Sequence, residues 1–177
     1  MDRYQLAKLV QWAQECSAEG LKSRKRLQKV VYLLQCAGCP LDADYSLHYY
    51  GPYSGEVAQI TDELVHAGLL VEEQTQNPVG KQFNYKLRGL AADSLGVFEA
   101  TPTGHDARQR LAPFEERAKQ LLELGLSELE YAATVAYFHQ KETNWKSAFQ
   151  KLCDFKRLSP DSCAAQSALR LAEQVVK

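Results

Sequence analysis

Tyr45-Ser46-Leu47-His48-Tyr49-Tyr50-Gly51-Pro52-Tyr53-Ser54-Gly55-Glu56 is the stretch from which most of the fold can be inferred. Tyr45, Leu47 and Tyr49 alternate with their neighbours, which is typical of an edge strand. Gly51-Pro52 predicts a turn, because proline fixes φ and has no backbone N–H. Ser54 can then cap a helix over residues 57–67, with Glu56 in its first turn, where the helix dipole favours an acid.

Two amphipathic helices are predicted ahead of this stretch. Apolar residues recur at helical spacing over residues 3–18, which indicates one helix with a single apolar face. A second helix follows Ser23 and ends before Gly38, a residue typical of helix ends. We expect the two helices to pack against each other.

A β-hairpin is predicted downstream, with strands over residues 69–73 and 83–87 and a polar loop between them. Helix, helix, short strand, helix and hairpin is an order of elements typical of a winged helix. In that arrangement the helix over residues 57–67 holds the recognition position, and residues 74–82 form the wing.

The second half of the chain is rich in helix signals. Ser127 and Glu130 have the spacing of a capping box, which predicts a helix start. Residues 96–101 favour one further strand ahead of these helices. We therefore predict a mainly α fold with a small β-hairpin, in which a winged-helix-like part (residues 1–103) packs on a helical part (residues 104–177) as one compact unit.

Composition excludes several classes of protein. Lys and Arg number 21 and Asp and Glu 22, so the chain is not a polycation that would bind nucleic acid through net charge. The N-terminus lacks the pattern of a signal peptide, and no apolar run reaches the ~18 residues of a membrane span. We expect a cytoplasmic protein without a membrane partner. Its five cysteines are expected to be reduced thiols, because no secretory context accompanies them.

The sequence shows no pattern of a catalytic or metal site. The four histidines lie far apart, and none has the spacing of paired zinc ligands. The nucleophile motif G-x-S-x-G is also missing. We therefore expect a protein that is not an enzyme and that has no metal or cofactor.

Five cations crowd the start of the second helix. A solvated helix face is one interpretation of such a run, because long aliphatic stems can cover a core. A site for phosphate, nucleic acid or an acidic protein surface is the other, since the first N–H groups of a helix attract anions. The candidates for that site are Lys22, Arg24, Lys25, Arg26 and Lys29.

Tyrosines crowd the central stretch and offer a second candidate site. Ordinary core and turn packing is one explanation for them, and alternation along a strand allows it for some but not all. The other is an aromatic patch that binds a protein partner, because tyrosine is enriched at interface hot spots. The residues proposed for that patch are Tyr49, Tyr50, Tyr53 and Glu56.

The predicted recognition helix is unsuited to DNA. Its polar positions include Glu56, Asp62 and Glu63 and no Lys or Arg. Phosphates would repel three acids, so binding in the usual winged-helix manner is disfavoured. A protein-binding use fits the helix better.

Several segments resemble known bacterial families. Those of the first half are Arg26-Leu27-Gln28-Lys29-Val30-Val31-Tyr32-Leu33-Leu34-Gln35, Tyr49-Tyr50-Gly51-Pro52-Tyr53-Ser54-Gly55-Glu56 and residues 64–70. The first two resemble the K-L-Q-K-L-x-Y and Y-G-P-Y-S signatures of Panacea-like proteins. The second half is more similar to the related, largely uncharacterised YwgA-like group, through Leu129-Glu130-Tyr131-Ala132-Ala133-Thr134, Asn144-Trp145 and residues 151–156.

The resemblance implies a cytoplasmic prokaryotic or phage-associated protein of helical and winged-helix-like fold. Panacea members include antitoxins that neutralise toxins by direct binding, and one relative is a proteolytic adaptor. We therefore expect a non-enzymatic protein-interaction module, an antitoxin-like or defence-associated accessory protein whose partner is a toxin or defence effector. The alternative is a nucleic-acid-binding regulator that uses the five cations together with Lys81, Lys86 and Arg88 of the hairpin.

Overall fold

The structure is a computed structural model that describes residues 1–77 and 80–176. The helices are α1 (Arg3–Cys16), α2 (Arg24–Cys36), α3 (Gly55–His66), α4 (Gly89–Glu99), α5 (Pro102–Leu111), α6 (Glu115–Glu123), α7 (Leu126–Glu142), α8 (Trp145–Lys156) and α9 (Cys163–Val175), with a short 3-10 helix at Ala112–Phe114. The strands are β1 (Leu21–Lys22), β2 (Ser46–His48), β3 (Gly51–Tyr53), β4 (Leu70–Asn77) and β5 (Gly80–Leu87). The predicted mainly α fold with a small β-hairpin is confirmed.

Serine caps begin the two helices that flank the central stretch. The Ser23 side chain accepts a hydrogen bond from Arg26 N at 3.1 Å, so α2 begins where the sequence predicts. The Ser54 side chain accepts one from Val57 N at 3.2 Å, and α3 follows it directly. Each cap satisfies a backbone donor that the first turn of a helix leaves without a partner.

The larger sheet is antiparallel, with strand order β1-β5-β4. Its β4–β5 hairpin is longer than predicted, because Thr75 pairs with Gln82 inside the segment expected to be a loop. Gln74, Thr75 and Gln76 are exposed, and a ladder of backbone hydrogen bonds does not need apolar side chains there. Pro78 and Val79 of the predicted loop lie outside the described residues.

Strands β2 and β3 form a separate two-stranded hairpin. His48 pairs with Gly51 and Leu47 with Pro52, so Tyr49 and Tyr50 make the turn. The prediction placed that turn at Gly51-Pro52, whereas both residues lie in β3. Pro52 is tolerated because a two-stranded hairpin is all edge, where a missing N–H costs little.

Two local predictions in the second half are wrong. The expected strand over residues 96–101 is largely the last turn of α4, which continues to Glu99. Ser127 does not cap a helix, because α7 begins at Leu126 and Gly125 is its N-cap. The Gly125 carbonyl oxygen already accepts from Leu129 N at 3.0 Å, which places Ser127 within the first turn.

Helix α7 lies at the centre of the core and contacts α2, α8, α9 and β3. The side chains on its inward face are mostly small, and Ala132, Ala133 and Ala136 are completely buried. Small side chains allow neighbouring elements to approach closely. Elements from both halves of the chain therefore meet on α7. Within the part of the chain that the structure describes, no helix combines the length and the apolar character that crossing a membrane requires.

Candidate binding site between helix α2 and the β2–β3 hairpin

Helix α2 holds the β2–β3 hairpin through two polar side chains that lie inside the protein. Gln28 Nε2 donates to the Ser54 carbonyl oxygen at 2.9 Å, and Gln28 Oε1 accepts from Ser54 N at 2.8 Å. Lys29 Nζ donates to the Pro52 carbonyl oxygen at 2.6 Å. All three bonds end on backbone atoms, so they fix the path of the chain rather than one side-chain conformation. Residues 26–35 and 49–56, both quoted above for their family resemblance, thus contact each other.

Helix α7 supports the hairpin from the other side. Gly51 has φ of +86°, and a Cβ atom there would lie 2.5 Å from Thr134 Oγ1 and 3.4 Å from the Glu130 carbonyl oxygen. Only glycine adopts this conformation easily and leaves room for α7. At the turn, Lys156 Nζ donates to the Tyr49 carbonyl oxygen at 2.9 Å. The hairpin is therefore fixed at its base and at its tip.

Three of the four tyrosines are exposed on this fixed hairpin. The exposed fractions are 81% for Tyr49, 49% for Tyr50 and 37% for Tyr53. The Tyr49 and Tyr50 rings are perpendicular, with centroids 5.0 Å apart. Tyr45, in contrast, packs on Tyr32 inside the protein, with ring centroids 4.8 Å apart. Tyr49, Tyr50 and Tyr53 are called the tyrosine rim below.

Three of the five candidate cations are bound to other groups of the protein. Lys22 pairs with Glu19 at 2.9 Å. Arg24 pairs with Glu72 at 2.6 Å, and that ion pair raises the pKa of Arg24. Arg26 Nη1 donates to the Leu122 carbonyl oxygen at 2.8 Å, near the end of α6. Their charges are therefore largely compensated, or used to join elements.

Lys25 and Lys29 differ from these three. Lys25 lies with Nζ 3.3 Å from the centroid of the Tyr50 ring, a cation–π contact. Lys29 is only 2% exposed, and burial lowers its pKa to about 8 although the charge of Glu130 acts in the opposite direction. Lys29 therefore cannot belong to a basic surface, which corrects its assignment to one. The reason is that its ammonium group points inward to Pro52.

One cavity joins the two candidate sites. Its volume is about 310 Å³, and Tyr50 and Tyr53 line it together with Arg24, Lys25 and Lys29. Helix α3 closes one side. The tyrosines, which predict a protein partner, and the cations, which predict an anionic partner, therefore line the same cavity.

Glu56 is not among the residues that line this cavity. Its carboxylate accepts a hydrogen bond from the amino group of Met1 at 2.8 Å, and this hydrogen bond lowers the pKa of Glu56. Glu56 is therefore engaged by the amino group of Met1 and does not contribute to the cavity that Tyr50 and Tyr53 line.

Sequence reasoning missed three residues of the site. Gln28 is a polar residue inside an apolar helix face, and that interruption is the only local signal of its role. Lys156 and Glu130 form an ion pair of 2.5 Å beside the turn. No sequence periodicity connects this ion pair with the β2–β3 turn, because Lys156 lies 107 residues from Tyr49 in sequence.

Residues that could hold a metal ion do not cluster at the site. Across residues 1–77 and 80–176, no three His, Cys, Asp or Glu side chains are grouped as metal ligands would be. The site can offer ammonium groups, aromatic faces and backbone polar atoms. Such groups can bind anions and aromatic rings.

Comparison with known proteins gives one informative match. No family model matches the sequence. The chain is 28% identical over 123 residues to a protein of Bacillus subtilis (strain 168) named uncharacterized protein YwgA, an alignment that covers 70% of this chain and 69% of that protein. The match leaves the Panacea-like resemblance untested. It confirms the predicted YwgA-like resemblance, since this chain is similar to YwgA over most of its length.

Proposed function

We propose that this protein is a non-enzymatic, cytoplasmic interaction module that binds a partner protein directly through the tyrosine rim. An antitoxin-like or defence-associated accessory role is the form of that function which the predicted family resemblance favours. The observation that carries the proposal is the exposure of Tyr49, 81%, at the tip of a hairpin that α2, α7 and α8 hold in place.

Rigidity supports this proposal. Binding costs less conformational entropy when the contacting residues are already ordered. The hairpin backbone is fixed by Gln28, Lys29 and Lys156. Tyrosine combines a large apolar ring with a hydroxyl group and loses few rotamers on binding, which makes it a frequent hot-spot residue.

The distribution of charge favours a protein over nucleic acid. A nucleic-acid interface needs cations that are free to neutralise phosphates. Lys22, Arg24 and Lys86 pair instead with Glu19, Glu72 and Glu73, and Lys29 is buried. Acids therefore interrupt the series of cations, from α2 to the β4–β5 hairpin, that the nucleic-acid alternative would use.

The first half of the chain is proposed to be a winged-helix-like scaffold for this interface. Support comes from the order α1, β1, α2, β2, β3, α3, β4, β5, in which the β2–β3 hairpin stands between α2 and α3, and from a sheet in which β5 lies between β1 and β4. Helix α3, in the recognition position, contains no Lys or Arg, and its Glu63 pairs with Arg3 at 2.8 Å. A recognition helix without cations suits a protein partner better than DNA.

Site-specific photocrosslinking tests the proposal in the native host. A photoreactive phenylalanine analogue replaces Tyr49, and in a control chain it replaces Leu90, which is 83% exposed on α4. We expect one protein to be crosslinked from position 49 and not from position 90. Equal crosslinking from both positions, or crosslinks to nucleic acid alone, would count against the tyrosine rim as a protein interface.

A further inference from the structure

The lining of the cavity includes Lys29, a buried lysine whose ammonium group has spare donors. Lys29 is 2% exposed and lines the cavity. An ammonium group has three donors, and among the described residues its hydrogen-bond acceptor is the Pro52 carbonyl oxygen. Glu130, whose charge acts on Lys29, is already paired with Lys156 at 2.5 Å. A buried charge with unused donors is costly unless another group satisfies it.

A second lysine without an acid partner, Lys25, also lines the cavity. Lys25 Nζ faces the Tyr50 ring, and no ion pair engages it in the described part of the chain. The acid in the lining is Asp62, whose Oδ1 lies 3.4 Å from Nη2 of Arg24. Arg24 also pairs with Glu72. The uncompensated charge of the cavity is therefore positive and comes from Lys25 and Lys29.

The remaining lining is largely apolar or aromatic, and its polar residues Gln28 and Thr61 are hydrogen-bonded to backbone atoms of the protein. Leu27, Ala58, Tyr50 and Tyr53 contribute to its walls. The volume of about 310 Å³ lies at the lower end of the range of roughly 300–1,000 Å³ typical of small-molecule sites. Such a space suits a single planar ring with a charged substituent.

We propose that the cavity binds a small molecule in which an oxyanion is attached to an aromatic ring. The oxyanion accepts hydrogen bonds from Lys29 and Lys25, and the ring packs against Leu27 and the tyrosines. A carboxylate and a phosphate group share this chemistry, and the probes below separate them. This site does not depend on the proposed protein partner, since ligand and partner can be tested separately.

Isothermal titration calorimetry of the full chain tests the inference. The probes are benzoate and phenyl phosphate, compared with benzyl alcohol, acetate and inorganic phosphate. We expect saturable binding of at least one aromatic anion with a Kd of ~1 mM or below, and binding at least tenfold weaker for the three comparison compounds. Binding of benzoate alone would assign a carboxylate ligand, and binding of phenyl phosphate alone a phosphate ligand.

Three variants locate the site. Lys29→Met should weaken binding of the aromatic anion at least tenfold, and the matched change Lys146→Met, at an exposed lysine of α8, should leave it unchanged. If Lys29→Met does not fold, Ala58→Phe replaces it, because the added ring occupies the cavity from α3. The inference is overturned if neither aromatic anion binds at ~10 mM, if acetate or inorganic phosphate binds as tightly, or if the folded variants bind like the wild type.

Discussion

Lys25 places its ammonium nitrogen 3.3 Å from the centroid of the Tyr50 ring. This contact joins a residue chosen for its charge to one chosen for its aromatic ring. From the sequence, Lys25 was a candidate for binding nucleic acid and Tyr50 a candidate for binding a protein. In the folded chain they contact each other and line the same cavity.

Gln28→Ala should lower the free energy of unfolding by about 1–3 kcal/mol, the cost of one unsatisfied buried group. The substitution leaves the N–H group of Ser54, which is completely buried, without its acceptor, whereas the Ser54 carbonyl oxygen still accepts from Ala58 N at 3.3 Å. Urea denaturation measures the change. Gln59→Ala, at an exposed residue of α3, is the control and should change stability by less than about 0.5 kcal/mol. Equal effects of the two would contradict the role given to Gln28.

Gly51→Ala should destabilise the protein by at least about 1–3 kcal/mol, because the new Cβ would meet Thr134 Oγ1 at a positive φ. Gly55→Ala is the matched control, since nothing lies within 4 Å of a Cβ at that position. The control should be neutral or slightly stabilising. Thermal denaturation of both variants is the measurement, and a melting temperature of Gly51→Ala equal to the wild type would show that α7 does not constrain the hairpin.

Lys29 should make stability depend on pH in a defined direction. Burial lowers its pKa from 10.5 to about 8 in the folded chain, so between these values the unfolded chain binds more protons and stability rises with pH. Relative to Lys29→Met, the wild type should therefore gain about 2–3 kcal/mol between pH 8 and pH 10.5. Taking the difference removes the titration of tyrosines and cysteines common to both chains.

The groups that act on Lys29 are Lys25 on its own helix, Glu130 on α7 and Lys156 on α8, and all remain in the variant. Chemical denaturation at several pH values gives the two curves. Parallel curves across this interval would mean that Lys29 is not held in a desolvated environment.

The double charge reversal Arg24→Glu with Lys25→Glu tests the nucleic-acid alternative. We expect filter binding of DNA and RNA to stay at background for both the wild type and this variant. The control reversal, Lys146→Glu with Arg170→Glu, changes the net charge by the same amount at exposed residues of α8 and α9. Salt-sensitive binding by the wild type that only the first reversal abolishes would establish nucleic acid as the ligand, because phosphate contacts weaken steeply with salt.

Local signals predicted the starts of α2 and α3, because a serine cap acts within one turn and needs no distant partner. The same type of signal failed at Ser127, where the helix had already begun at Leu126. The lengths of β4 and β5 were underestimated because strand pairing, rather than side-chain polarity, determines them.

The sequence predicted individual residues of the candidate site but not the contacts between them. The run of cations suggested a surface, but the position of Lys29 depends on the Pro52 carbonyl oxygen, 23 residues away. The tyrosines were recognised from their density, whereas Lys156 became part of the site only through the packing of α8 beside the turn. Contacts between distant segments cannot be inferred from periodicity in either segment alone.

The affinity of the protein partner for Tyr49→Ala tests the central claim most directly, once crosslinking has identified that partner. We predict that this substitution weakens binding by ~1–3 kcal/mol with an unchanged melting temperature, because an exposed ring is removed without opening a cavity in the core. Leu90→Ala, at an equally exposed position, should leave the affinity as it is. An affinity of Tyr49→Ala equal to that of the wild type would contradict the claim that the tyrosine rim is the interface.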